Sequence, residues 1–225
     1  SNLPRLVTGD LVVWSDDGAD GGVVLALGQR RNFFGRPNPE GQFKAIAANI
    51  DIVLVVFASS PTPHVSLIDR YLVAIEQLQL SAVLVLNKLD LLSQKELAEL
   101  DIILSSYRDI GYPVYKVSAE NGRGMLELEQ VLASQTTILV GQSGVGKSSL
   151  LNKLSKGKLA DVAPLSEIWD RGTHTTTTSS LYHMPGFDLI DSPGIREFGL
   201  GHIDDQQVFE GFIEFRQFAG SCKFR

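Results

Sequence analysis

The segment between Gly141 and Ser148 combines glycines, a lysine and a hydroxyl group at a spacing that binds phosphate. It follows the pattern G-x-x-x-x-G-K-S, and Ser149 comes directly after it. The glycines let backbone N–H groups wrap an anion, and a helix after the loop points its positive end at the same charge. We expect Lys147 to reach the β- and γ-phosphates of a nucleotide and the Ser148 hydroxyl to bind Mg²⁺. The phosphate loop consists of Gly141, Gln142, Ser143, Gly144, Val145, Gly146, Lys147 and Ser148.

The tetrapeptide Asn87-Lys88-Leu89-Asp90 carries groups that could recognise a base. It follows a predicted strand, and ligands of open α/β sheets bind at the carboxyl ends of strands. The Asp90 carboxylate can accept from the ring N–H and the exocyclic amine of guanine, whereas adenine presents no such pair of donors. We expect the stem of Lys88 to lie over the base and Asn87 to hold this loop against the phosphate loop. Without a phosphate loop in the same chain, the tetrapeptide would fit an ordinary polar turn equally well.

A Ser118-Ala119 pair ends another predicted strand, after the tetrapeptide. In guanine-binding sites a Ser-Ala pair at this place supplies a backbone N–H to the guanine oxygen. So short a match is by itself also typical of any strand end.

The segment Asp191-Ser192-Pro193-Gly194 fits the pattern D-x-x-G at the end of an apolar strand. We expect Asp191 to hold Mg²⁺ through water and the Gly194 N–H to contact the γ-phosphate. An ordinary Pro-Gly turn is the alternative, and the position of the segment downstream of a phosphate loop argues against it.

A threonine-rich stretch lies between these two phosphate motifs, at residues 171–178. One threonine there is expected to complete the Mg²⁺ shell and close over the γ-phosphate, as nucleotide-ordered switch loops do. Thr177 is the first candidate, and Thr175 and Thr176 are close alternatives. His174 could orient the attacking water, although an exposed loop histidine explains it equally well.

Hydrolysis of a bound nucleotide is expected to be slow, because Ile195 occupies the position after D-x-x-G. Many GTPases place a water-orienting glutamine there, and an isoleucine side chain cannot hydrogen-bond water. Another residue or a partner must then supply the missing polar group. Gly144 stands where some potassium-stimulated GTPases carry asparagine, so we do not expect activation by potassium.

The elements that position these motifs alternate between strand and helix from Ile50 onward. This alternation predicts an α/β fold with a mostly parallel sheet covered by helices on both faces. Strands are predicted at 52–57, 82–86, 114–117, 137–140, 181–183 and 187–190, and helices at 67–78, 94–110, 125–132, 147–154 and 210–218.

Residues 5–45 differ from the rest, with apolar strands at 11–14 and 22–27 split by a turn-rich stretch. A lone hairpin buries too little surface to be stable, so we interpret it as part of a small β-barrel. Four basic residues could contact RNA, as such barrels often do, or form a solvated charged face. These residues are Arg30, Arg31, Arg36 and Lys44.

Composition limits the class of protein. The net charge of −6 over 225 residues argues against non-specific coating of nucleic acid, which needs many cations. The apolar runs are shorter than a bilayer requires, and the single cysteine, Cys222, permits no internal disulfide. We therefore expect a cytoplasmic protein, and nothing in the sequence suggests more than a monomer.

The order of the motifs is unusual, since the base-recognition motifs precede the phosphate loop. With this order, the chain resembles the RsgA (YjeQ) family of circularly permuted GTPases over nearly its whole length. The resemblance is carried by the sequences AANID at 47–51, LIDRYLVA at 67–74, GQSGVGKSSLL at 141–151, HTTT at 174–177 and DSPGIREFG at 191–199.

The resemblance implies three domains and a function. It implies an OB-fold ending within residues 1–45, a permuted GTPase domain at 46–209 and the start of a zinc-binding domain at 210–225, with Cys222 as one zinc ligand. It further implies GTP hydrolysis stimulated by the small ribosomal subunit, contact with its rRNA, and a role in late subunit maturation. The alternatives are a GTP-dependent binding module with incidental hydrolysis, and an ATPase or kinase, against which Asp90 argues.

Overall fold

The computed structural model describes residues 3–16, 18, 21–37, 43–61, 63–156, 179–192, 200 and 203–218. Among these residues, no helix has the length and apolar character needed to cross a bilayer.

The N-terminal part consists of two antiparallel strand pairs. Strands β1 (Val12–Asp16) and β2 (Gly22–Leu27) form the predicted hairpin. A second pair, β3 (Phe33–Pro37) and β4 (Phe43–Ala48), was not predicted. Gly35 and Pro37 lie inside β3, and both residue types weaken a strand signal.

A six-stranded sheet forms the centre of the molecule, in the order β7-β6-β5-β8-β10-β9. All neighbouring pairs are parallel except β9 and β10, which form an antiparallel hairpin. The predicted mostly parallel sheet is thus confirmed. The strands are β5 (Ile52–Ala58), β6 (Ser81–Asn87), β7 (Val114–Lys116), β8 (Thr136–Val140), β9 (Ser180–Met184) and β10 (Phe187–Asp191).

Helices cover both faces of this sheet, and two apolar cores result. The helices are α1 (Val65–Gln77), α2 (Gln94–Ile110), α3 (Met125–Leu132), α4 (Lys147–Leu154) and α5 (Asp205–Gly211). Helices α1 and α2 share a core with Val53, Val55 and Phe57 of β5. Helices α3 and α4 share the other core with Ile52, Leu54 and Val56. Alternate residues of one strand therefore serve opposite cores, and β5 is buried throughout.

The start and end of α2 follow from its capping residues. Ser93 and Glu96 form a capping box, and Gly111 ends the helix in a left-handed conformation (φ 117°).

The predicted helix at 210–218 is wrong. A capping box of Asp204 and Gln207 starts α5 earlier, and α5 ends at Gly211. The segment Ile213–Phe218 is a 3₁₀-helix instead.

The N-terminal strands join the central sheet through Asn32, Asn49 and Asp51. Asn32 exchanges two hydrogen bonds with the backbone of Ile50, at 2.7 and 2.8 Å. Asn49 accepts from Arg31 N–H at 2.9 Å and donates to the Gly9 carbonyl at 2.9 Å. Asp51 accepts from the Thr136 N–H at 2.8 Å and so contacts β8 directly. The AANID sequence is therefore the junction between the two parts.

Candidate functional site

Four motif-bearing loops meet at the carboxyl edge of the central sheet. The phosphate loop follows β8, the Asn87-to-Asp90 segment follows β6, Ser118 follows β7 and Asp191 ends β10. Because these strands are parallel, their carboxyl ends share one edge, and in open sheets ligands bind there.

The phosphate loop is shaped by glycines that other residues could not replace. A Cβ on Gly141 (φ +139°) would lie 2.1 Å from the Val56 carbonyl oxygen. A Cβ on Gly146 (φ +89°) would lie 2.5 Å from Asn87 Nδ2. Gly146 is the N-cap of α4 and has no side chain with which to cap it. The first turn of α4 therefore presents its N–H groups toward the loop, the arrangement that binds phosphate.

Lys147 lies over this loop. Its Nζ donates to the Gly141 and Gln142 carbonyls at 2.7 Å each. The ammonium group is thus held beside the backbone that would surround a phosphate chain. Ser148 follows in the first turn of α4 and is half-buried, where its hydroxyl can serve as a Mg²⁺ ligand.

One buried amide links the phosphate loop to the base-recognition loops. Asn87 is 1% exposed, and its Nδ2 donates to the carbonyls of Val145 at 3.1 Å and Gly146 at 3.3 Å. Its Oδ1 accepts from the Ala119 N–H at 3.2 Å. The contacts of Asn87 with the phosphate loop match the expectation from sequence, whereas its bond with the Ala119 N–H was not predicted. Guanine binding by the Ala119 N–H would require this bond to be shared or exchanged.

The Asp90 carboxylate is oriented by the Ser118 hydroxyl, which donates to its Oδ1. Ser118 is fully buried, and its Oγ also accepts from the Asn121 N–H at 3.2 Å. Sequence reasoning assigned only the backbone of the Ser118-Ala119 pair, so this side-chain role was missed. The serine hydroxyl at position 118 could have indicated this role from the sequence.

Lys88 has a left-handed backbone conformation (φ 64°), and its Nζ donates to the Ser60 carbonyl at 2.9 Å. The loop after β5 therefore contributes to the site, through a contact that no sequence motif indicated. Leu89 is buried in the 3₁₀ turn that carries Asp90.

Asp191 is a buried carboxyl group at the end of β10, only 6% exposed. Burial raises its pKa to about 6, although the charge of Lys147 and the Ser192 N–H each lower it. A buried carboxylate with a raised pKa gains from a nearby cation. The chemistry of this donor fits Mg²⁺, and the glycine-lined loop fits a nucleotide phosphate chain.

Several candidate residues lie outside the described part of the chain. These are His174, Thr175, Thr176, Thr177, Gly194, Ile195 and Cys222. Within the described part, no group of three or more His, Cys, Asp or Glu residues is placed to hold a metal ion.

Two of the four basic residues in the N-terminal part are already paired. Arg30 contacts Asp10 at 2.6 Å, and Arg31 contacts Asp51 at 2.7 Å. The positive charge available to a nucleic acid there is therefore smaller than the sequence suggested.

Comparison with known proteins assigns the chain to a family. The family model of the RsgA GTPase matches residues 27–201. The chain belongs to the RsgA GTPase family. The proteins named small ribosomal subunit biogenesis GTPase RsgA from Pseudomonas fluorescens (strain SBW25) and Azotobacter vinelandii (strain DJ) are each 51% identical to it. Both matches cover the whole chain, which spans 66% of the length of these RsgA relatives.

Two solved structures of this kind share the fold. YjeQ from Thermotoga maritima has a TM-score of 0.76 and 30% identity, covering 95% of this chain and 69% of YjeQ. YloQ, described as a circularly permuted GTPase, has a TM-score of 0.73 and 28% identity, covering 100% of this chain and 69% of YloQ. The fold class and the RsgA resemblance inferred from sequence are confirmed.

Proposed function

We propose that this chain binds GTP and GDP together with Mg²⁺ and hydrolyses GTP to GDP and phosphate. The observation that carries the proposal is the Asn87 amide, which holds the phosphate loop and the Ala119 backbone in one unit. Asp90, beside this unit and oriented by Ser118, offers the carboxylate that selects guanine.

The described residues have separate tasks in this reaction. Lys147 exchanges its two carbonyl contacts for β- and γ-phosphate oxygens and neutralises charge that develops there. Ser148, and Asp191 through water, would hold the metal ion, and Mg²⁺ when bound would add charge neutralisation at the phosphate oxygens. Water adds to the γ-phosphorus while the bond between that phosphorus and the β–γ bridging oxygen breaks. GDP leaves with the bridging oxygen, and a proton of the water passes to the released phosphate. Thr177 and Gly194 are proposed to contact the metal ion and the γ-phosphate.

Turnover is proposed to be slow in isolation and stimulated by the small ribosomal subunit during its late maturation. Ile195 supports the first part, because its side chain cannot orient water. The name of the RsgA relatives, small ribosomal subunit biogenesis GTPase, supports the second. We further propose that the protein acts in the cytoplasm and contacts rRNA. His174 is the candidate for orienting the attacking water, and Cys222 is the candidate zinc ligand.

A second candidate function is a GTP-dependent binding module in which hydrolysis is incidental. The absence of a water-orienting glutamine after D-x-x-G favours it. The two functions differ in whether a partner accelerates hydrolysis or only binds the GTP state.

The experiment measures GTP turnover with and without purified small ribosomal subunits, with ATP as the competing nucleotide, on the chain and its Asp90→Asn variant. We expect stimulation by the subunits and no competition by ATP. Asp90→Asn replaces one of the two acceptor oxygens by an NH2 donor that would face a guanine donor, and it removes the negative charge. GTP affinity should therefore fall by roughly 2–4 kcal/mol, about 30- to 1000-fold.

Glu120→Gln is the matched control, because Glu120 is an exposed carboxylate on the adjacent loop. Unchanged guanine preference in Asp90→Asn would overturn the assigned base recognition. Subunit binding without faster turnover would favour the binding module.

A further inference from the structure

Thr8, in the N-terminal part, is connected by hydrogen bonds to the strands that carry the proposed Mg²⁺ site. Its Oγ1 donates to the Ser179 carbonyl at 2.8 Å, across 171 positions of sequence. The Ser179 hydroxyl in turn donates to the Ser192 hydroxyl at 3.2 Å. Thr8 and Ser179, which no motif includes, are thus linked through hydrogen bonds to Ser192 of the D-x-x-G segment.

These hydrogen bonds lead from Thr8 to Ser192, the residue that follows Asp191. Ser192 directly follows Asp191 and is 3% exposed, and Ser179 directly precedes β9. Asp191 itself pairs with Ser180 in the β9–β10 hairpin. The Ser179–Ser192 contact therefore fixes the start of β9 against the end of β10, at the place where the Asp191 carboxyl leaves the sheet.

Thr8 is itself held firmly by its surroundings. The Thr8 carbonyl accepts from the Ala48 N–H at 2.9 Å. The next residue, Gly9 (φ +88°), approaches so closely that a Cβ there would lie 2.2 Å from the Ala48 carbonyl oxygen and 3.4 Å from Cδ1 of Ile190 on β10. The Asn49 amide donates to the Gly9 carbonyl at 2.9 Å. The Thr8 hydroxyl thus extends from a fixed backbone.

We propose that Thr8 is a positioning residue for the Mg²⁺ site, acting through Ser179 and Ser192 on Asp191. The N-terminal part then sets the metal-binding geometry of the GTPase part, and by thermodynamic reciprocity Mg²⁺-nucleotide binding stabilises the Thr8 contact. This inference rests on the proposed function, since it assumes that Asp191 holds the metal ion.

The test compares Thr8→Val with Thr8→Ser in fluorescent GDP binding titrated with Mg²⁺. Valine keeps the shape of threonine and removes the donor, whereas serine keeps the hydroxyl. One neutral hydrogen bond contributes about 0.5–1.5 kcal/mol, so the Mg²⁺ concentration for half-saturation should rise about 2- to 12-fold in Thr8→Val. Nucleotide affinity without Mg²⁺ should not change, and Thr8→Ser should behave like the unmodified chain.

Ser179→Ala provides a second variant, because it removes the contact with Ser192 and leaves the N-terminal part intact. We expect the same rise in the Mg²⁺ requirement, and faster amide exchange across 180–191 in both variants without nucleotide. Lower thermal stability of Thr8→Val with an unchanged Mg²⁺ requirement would show a purely structural role and overturn the inference. Failure of the unmodified chain to bind guanine nucleotide would instead overturn the proposed function.

Discussion

At the scale of single residues, Asn87 and Asp191 are two buried polar groups in opposite situations. The Asn87 amide has hydrogen-bond partners on both its oxygen and its nitrogen, so its burial carries little cost. The Asp191 carboxyl is buried with a pKa raised to about 6, which means that its ionised form is unfavourable in the unliganded chain. The site therefore combines a fully hydrogen-bonded amide at the end of β6 with a carboxyl group at the end of β10 whose ionised form a cation would stabilise.

Replacing Asp191 by asparagine should stabilise the unliganded chain at alkaline pH. A pKa raised from 3.8 to about 6 corresponds to about 3 kcal/mol of folding stability, which is present below 3.8 and is lost as pH rises from 3.8 through 6. We expect Asp191→Asn to increase the unfolding free energy by up to about 3 kcal/mol at pH 8 without Mg²⁺. The gain should shrink as pH falls from 6 toward 3.8. Urea unfolding across this range measures it.

Asp109→Asn is the control for this prediction, because Asp109 is an exposed carboxylate on α2, away from the site. Identical pH profiles for Asp191→Asn and the unmodified chain would show that the Asp191 carboxyl is not destabilised by burial.

At the scale of elements, α1 is the surface on which the C-terminal part packs. The LIDRYLVA sequence lies within α1, and its Val73 faces Gly211 of α5. The Gln77 amide donates to the Gln207 carbonyl at 2.7 Å. Arg216 donates to the Glu76 carboxylate at 2.7 Å. Within LIDRYLVA, Val73 therefore serves the packing of α5, and the polar contacts come from Glu76 and Gln77 on the following turn of α1.

Replacing Gly211 by alanine should loosen α5 from α1. The added Cβ would lie 2.7 Å from Val73 Cγ1 and 3.2 Å from Val73 Cα, so one helix must move. Overpacking of this kind costs about 1–3 kcal/mol. We expect that loss in urea unfolding, together with faster amide exchange over 205–218. Gln206→Ala, on the exposed side of α5, should change neither.

Local signals decided which elements were predictable. Helix α2 was predicted over its full length, and the structure shows that its ends are fixed by residues close in sequence, Ser93, Glu96 and Gly111. Strands β3 and β4 have no such markers and exist through pairing with each other. The phosphate loop and the Asn87–Asp90 segment follow from motif spacing. The roles of Ser60, the Ser118 hydroxyl and Thr8 do not, because each depends on residues distant in sequence.

At the scale of the whole molecule, the junction between the two parts depends on an ionised carboxylate. Burial alone would raise the pKa of Asp51, but hydrogen bonds from Arg31 and the Thr136 N–H, with the Arg31 charge, hold it below its ordinary 3.8. Such a group stabilises the fold above its unfolded pKa, and the contribution is lost as pH falls through the folded value.

Asp51→Asn should therefore destabilise the chain by about 1–3 kcal/mol at pH 7, with a smaller effect as pH is lowered through 3.8. Urea unfolding at several pH values, with amide exchange of the N-terminal strands, measures both. Asp109→Asn, an exposed carboxylate on α2, serves as the control. A pH-independent loss in Asp51→Asn would show that shape, and not charge, holds the junction.

The strand order has a consequence for synthesis on the ribosome. Strands β5, β6 and β7 leave the ribosome before β8, yet β8 lies between β5 and β10 in the finished sheet. Until residues 136–140 emerge, one edge of β5 has no partner strand from the central sheet, and an open apolar edge invites pairing with other chains. The phosphate loop follows β8 directly. The segment proposed to bind nucleotide therefore leaves the ribosome immediately after the strand that covers this edge.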